Sequence, residues 1–173
     1  MRQNDPKVTL YLATAGFAVL MALGSVAVSM AADVSSAAGV LRASAQEAAG
    51  RHSVWDGVST TEQARRGQLE YDASCGNCHL FELQGDEAAD VPPLTGIDFM
   101  REWNNRSVNE LFQFVSKSMP VGRPGSLTNQ VYVDILAYVL SANGFPQGDG
   151  ELTPEPEWLE RILIEAEQPR PAK

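Results

Sequence analysis

The 173-residue chain has only two cysteines and two histidines. Both cysteines lie within residues 75–79, so a four-cysteine zinc or iron–sulfur site within one chain is excluded. Cationic residues are also scarce: 13 Lys and Arg stand against 22 Asp and Glu, a net charge of −9. That balance argues against a nucleic-acid partner and suits either a solvated surface or a partner with a basic docking patch. Strand-like alternation of useful length is missing, as is any internal repeat. No βαβ pattern is present either, and βαβ is the usual setting of a redox Cys-x-x-Cys pair.

What is present is Cys75-Gly76-Asn77-Cys78-His79. Cys-x-x-Cys-His is the haem attachment pattern. Two thiols three apart on a helical turn can each add to one haem vinyl group. The adjacent histidine then lies under the ring with an imidazole able to bind iron. The competing readings are a stray thiol pair, a disulfide and a redox dithiol.

The N-terminus carries Arg2 and Lys7 before an uncharged run from Val8 to Ala32. Residues 1–31 read as a signal peptide cleaved after Ser29-Met30-Ala31, or as an uncleaved membrane anchor. In both cases the positive end stays in the cytoplasm and the rest crosses. Residues 32–52, rich in Ala, Ser and Gly, read as a flexible linker. The folded domain is expected over 53–164, with 165–173 a disordered tail.

Within the domain, Thr60 and Gln63 suit a capping box before a helix to about Ser74. Gly67 in mid-helix costs about 1 kcal/mol relative to alanine, which points to close approach of another helix. Two prolines, Pro92 and Pro93, stiffen the approach to Leu94. Ile97–Trp103 could form one or two helical turns. Ser107 and Glu110 form a second capping box, before a helix that carries Val108, Leu111, Phe112 and Val115 and ends before Met119-Pro120. Thr128 caps a helix to about Asn143, stopped by Gly144. Thr153-Pro154 starts a last short helix bearing Trp158, Leu159 and Ile162. For a second iron ligand the candidates are Met119, Met100 and His52. Met100 suits core filling, while Met119 precedes a proline and a glycine-rich loop able to wrap a flat cofactor.

From about Trp55 to Ile164 the chain resembles a bacterial class I c-type cytochrome. The resemblance rests on Tyr71 before Cys75-x-x-Cys78-His79, on Pro93-Leu94, on Met119-Pro120, and on the helix Tyr132-x-Asp134-Ile135-x-Ala137-Tyr138. It implies an all-α fold, short helices wrapped round one covalent haem c, after an N-terminal hydrophobic helix. It implies that the first and last helices cross, with Gly67 against the Tyr138 face. His79 and Met119 would be the axial ligands, and the Pro93 carbonyl would accept from Nδ1 of His79. Leu94 would line the cofactor and Trp103 would lie near a propionate. Leu80 departs from the family, where glycine commonly follows the histidine. Ser53–Val58 and Asn143–Leu152 resemble a narrower set, periplasmic monohaem cytochromes found beside quinoprotein dehydrogenases.

The function implied is a periplasmic one-electron carrier between a dehydrogenase and a terminal oxidase. Six-coordinate iron leaves no site for substrate, so an enzyme is not expected. The alternatives are a membrane-tethered subunit of a dehydrogenase or oxidase complex, and a five-coordinate haem that binds gas or peroxide. Membrane contact is expected only through residues 8–31, if they are retained.

Overall fold

The structure is a computed structural model, and it describes residues 50–169. The signal peptide or anchor, nearly all of the linker and the last four residues of the tail lie outside the described residues. No described helix is long and apolar enough to cross a membrane.

Helix α1 (Thr61–Ser74) starts where Thr60 accepts a hydrogen bond from the Gln63 N–H at 3.0 Å. The box is not completed, because the Gln63 side chain turns inward and is fully buried. Its Nε2 donates to Asp134 Oδ1 at 2.9 Å and to the Leu152 carbonyl at 2.8 Å, and its Oε1 accepts from the Leu152 N–H at 2.7 Å. A buried amide satisfied on both ends outweighs one solvent-exposed capping bond.

After the single turn α2 (Gly76–His79), an acidic loop leads to α3 (Gly96–Trp103). Helix α4 (Val108–Ser118) carries the complete capping box: Ser107 Oγ accepts from Glu110 N–H at 3.1 Å, and Glu110 accepts from Ser107 N–H at 2.9 Å. Helix α5 (Asn129–Ala142) is the centre of the domain. Tyr132, Val133, Asp134, Ile135, Leu136, Ala137, Val139 and Leu140 are all buried, a pattern that wraps the helix rather than striping it. Helix α1 crosses it at Gly67, where an added Cβ would collide with the Asp134 carbonyl. The close approach is thus one turn before Tyr138, whose ring packs on Tyr71 at 5.3 Å.

Helix α6 (Pro156–Glu160) starts two residues later than Thr153-Pro154 suggests. Glu155 precedes a proline and is held extended at φ −72°, ψ 116°, so no helix can run through it from Pro154. Three short strands complete the domain: β1 (His52–Ser53), β2 (Arg106–Ser107) and β3 (Ile162–Ile164). β3 pairs parallel with β1 and antiparallel with β2. Strands of two or three residues are too short for an alternating pattern to register. His52, expected in the linker, is therefore part of a sheet. Residues 165 and 166, expected in the tail, are bonded as well: Glu165 O accepts from Trp55 Nε1 and Ala166 N–H donates to Asn104 Oδ1, each at 2.8 Å.

Candidate haem site

The end of α1 builds the first half of the site. Cys75 leaves helical geometry at φ −123°, ψ −33°, with its N–H held by the Tyr71 carbonyl at 2.7 Å. The Cys75 carbonyl then accepts from the Cys78 and His79 N–H groups at 3.1 and 3.0 Å. That closes one turn and spaces the two cysteines one turn apart. The thiols are free, Cys75 half-buried and Cys78 exposed. Burial, and then the neighbouring Cys78, push the Cys75 thiol up to about 11. A lowered thiol pKa favours redox dithiol chemistry, and the shift at Cys75 runs the other way.

The His79 ring is buried, 8 % exposed, with Nδ1 3.0 Å from the Pro92 carbonyl. A carbonyl only accepts, so Nδ1 carries the proton and Nε2 keeps its lone pair for a metal. The acceptor is Pro92 and not Pro93, which corrects the expectation by one residue. In an extended chain neighbouring carbonyls face opposite ways, and a residue's own N–H and C=O face the same way. The Leu94 N–H donates to the Leu83 carbonyl at 2.8 Å. Residues 92 and 94 therefore share the side turned towards the histidine turn, and Pro93 faces away.

Leu94 is half-buried against the core. Asn143, at the end of α5, fastens it: Nδ2 donates to the Leu94 carbonyl at 2.9 Å, and Oδ1 accepts from Gly96 N–H at 3.0 Å. Leu80 sits at φ 61°, ψ 157°, a region that belongs almost to glycine alone, which explains the glycine of the relatives. Its carbonyl accepts from Tyr71 Oη at 2.7 Å. Burial, chiefly, pushes the Tyr71 phenol well above its ordinary value, so it stays a neutral donor.

Met119 terminates α4 in extended conformation, half-buried, with its N–H bonded to the Val115 carbonyl at 2.8 Å. Its carbonyl accepts from Tyr132 Oη at 2.8 Å. Met100 instead packs against the hydrophobic core. His52 is occupied by the sheet, its ring edge-on to Trp158 at 4.8 Å and its Nδ1 3.9 Å from Asp56. Trp103 is a core residue, 7 % exposed, with the Arg106 guanidinium 4.4 Å over its ring and Phe114 at 5.6 Å.

The donor set fits a c-type haem: two sulfurs one turn apart and an imidazole with its outer nitrogen free. The acidic depression beside Pro92 and Pro93 does not. It measures about 630 Å³ and is lined in part by Glu87, Asp90 and Asp98, which would repel propionates. Sequence reading missed two holding groups, Asn143 and the Tyr132 hydroxyl. An asparagine just past a helix, and a tyrosine in the first turn of α5 just after the glycine-rich loop, were the only signals.

Residues 62–139 match the family model described as cytochrome C oxidase, cbb3-type, subunit III. No curated protein matches. A solved structure that resembles the chain is the crystal structure of the sulfane dehydrogenase SoxCD from Paracoccus pantotrophus. The TM-score is 0.44 at 20% identity over 64% of this chain. The chain spans 61% of that chain's length. With its helix-rich fold and its Cys75–His79 turn, the segment 62–139 is a class I c-type cytochrome domain, a module of haem-based electron transfer.

Proposed function

We propose that the chain is a periplasmic one-electron carrier with a single haem c. Cys75 and Cys78 would hold the haem through thioethers, and His79 and Met119 would bind its iron. The observation that carries this reading is the His79 ring, with Nδ1 committed to Pro92 and Nε2 left for iron beside the two sulfurs. The bound haem supplies a ferric/ferrous couple. The chain's part is to fix both ligands, exclude water with the core around α5, and raise the potential through a thioether ligand. With His79 and Met119 both bound to iron, no open site would remain for substrate.

The donor we infer is a quinoprotein dehydrogenase, and the acceptor a terminal oxidase. The two segments that resemble dehydrogenase-associated cytochromes pack on each other: Trp55 meets Phe145 edge-on at 5.0 Å, and Gly148 lies against the Gly57 main chain. The export reading rests on residues 1–31, cleaved after Ala31 or kept as an anchor. Intact mass of the native protein tests haem and cleavage together. The expected mass is that of the chain lacking 1–31 plus one haem, and acid–acetone should extract none of it. Extractable haem in protein matured by its assembly machinery would sink the proposal, and a full-length mass would move it to the anchored form.

A further inference from the structure

We infer that Tyr132 is a positioning residue for the sulfur ligand: its hydroxyl, rooted in α5, latches the Met119 main chain and so holds the thioether on the iron. This deepens the proposed function and rests on Met119 being a ligand.

Met119 stands where α4 ends, and both of its main-chain groups are engaged. The N–H is bonded within α4 and the carbonyl is bonded by Tyr132 Oη. Past it the chain has only local support. Arg123 N–H donates to Pro120 O and Ser126 N–H to Arg123 O, while residues 121–126 are exposed. Tyr132 itself is firmly packed. It is 2 % exposed, its N–H is bonded to the Thr128 carbonyl at 3.1 Å, and its ring packs edge-on against Phe112 of α4 at 6.4 Å. Tyr132 is therefore the long-range bond between the rigid centre of the domain and this end of α4. A main-chain swing that carried Met119 off the iron would turn its carbonyl and break that bond. Tyr71 does the parallel work on the other side, but there the histidine turn has further supports of its own.

The test uses the mature oxidised holoprotein, titrated with imidazole, a small nitrogen ligand that replaces the thioether. Loss of the weak far-red sulfur–iron absorption reports displacement. Tyr132→Phe should keep that absorption without imidazole and bind imidazole about tenfold more tightly, the effect of one net hydrogen bond. Asn109→Ala, which removes a side-chain bond to Glu160 outside the site, should stay within about twofold of the wild type. Wild-type affinity in Tyr132→Phe, or equal tightening in both variants, would overturn the proposal. Should Tyr132→Phe not mature, the wild type decides: the ¹³C resonance of Tyr132 Cζ should shift on imidazole saturation, and an unmoved resonance rejects the latch. A wild type without sulfur–iron absorption before any imidazole is added rejects the ligand assignment itself, and the latch with it.

Discussion

On the His79 side the chain is fixed by bonds that crowd into one short segment. Cys75 caps α1, its carbonyl closes the turn, Pro92 holds the ring, and Tyr71 and Gly85 bind the carbonyls of Leu80 and His79. On the Met119 side two main-chain bonds do the work, and one of them comes from a tyrosine side chain on another helix. The first proposed ligand is held by many bonds and the second by two, although the Pro92 bond to His79 and the Tyr132 bond to Met119 each span 13 residues. The histidine should thus be the permanent ligand and the methionine the exchangeable one.

The largest effect expected breaks the His79 side entirely. Cys75→Ala with Cys78→Ala removes the covalent haem, and the short helices cannot compensate alone. The product should be largely unfolded by circular dichroism; a cooperatively folded, haem-free protein would count against this. On the Met119 side, Met119→His should keep six-coordinate, low-spin iron but lower the potential by on the order of 100 mV or more, since a nitrogen donor favours the ferric state. Met100→Leu, in the core, should change little. Reversed results for the two methionines would exchange their roles.

The helix crossing supports both sides and can be broken without touching either ligand. Gly67→Leu would drive a side chain into the Asp134 backbone, at a cost of roughly 1–3 kcal/mol in denaturant unfolding. An unchanged midpoint would mean that α1 and α5 do not meet there. The smallest effect sharpens the contrast. Leu80→Gly should relieve the left-handed backbone after His79 and stabilise the domain by up to about 1 kcal/mol, leaving imidazole affinity at Met119 unchanged. Destabilisation would show that the Leu80 side chain packs to more purpose than its backbone strain costs.

Whether a signal is local decides how much could be read from residues. Cys75–His79, the Ser107–Glu110 box and the Gly67 crossing were legible, because each is a local pattern or a local penalty that demands a partner. Pro92 was missed by one place. Two adjacent prolines look alike in sequence, and the choice between them is made by Leu94 bonding to Leu83. Gln63 was misread for the same reason: its partners, Asp134 and Leu152, are remote in the chain. Tyr132 reads as one more apolar residue at helical spacing, and only the fold shows where its hydroxyl ends. The strands escaped because pairing, not composition, makes them.

The most direct measurement is an optical redox titration of the native holoprotein. One haem should titrate as a single one-electron couple. The oxidised form should show the sulfur–iron absorption, and Met119→Leu should abolish it while leaving the haem covalently attached. A five-coordinate spectrum in the wild type, or absorption that survives Met119→Leu, would contradict the His79–Met119 ligand pair.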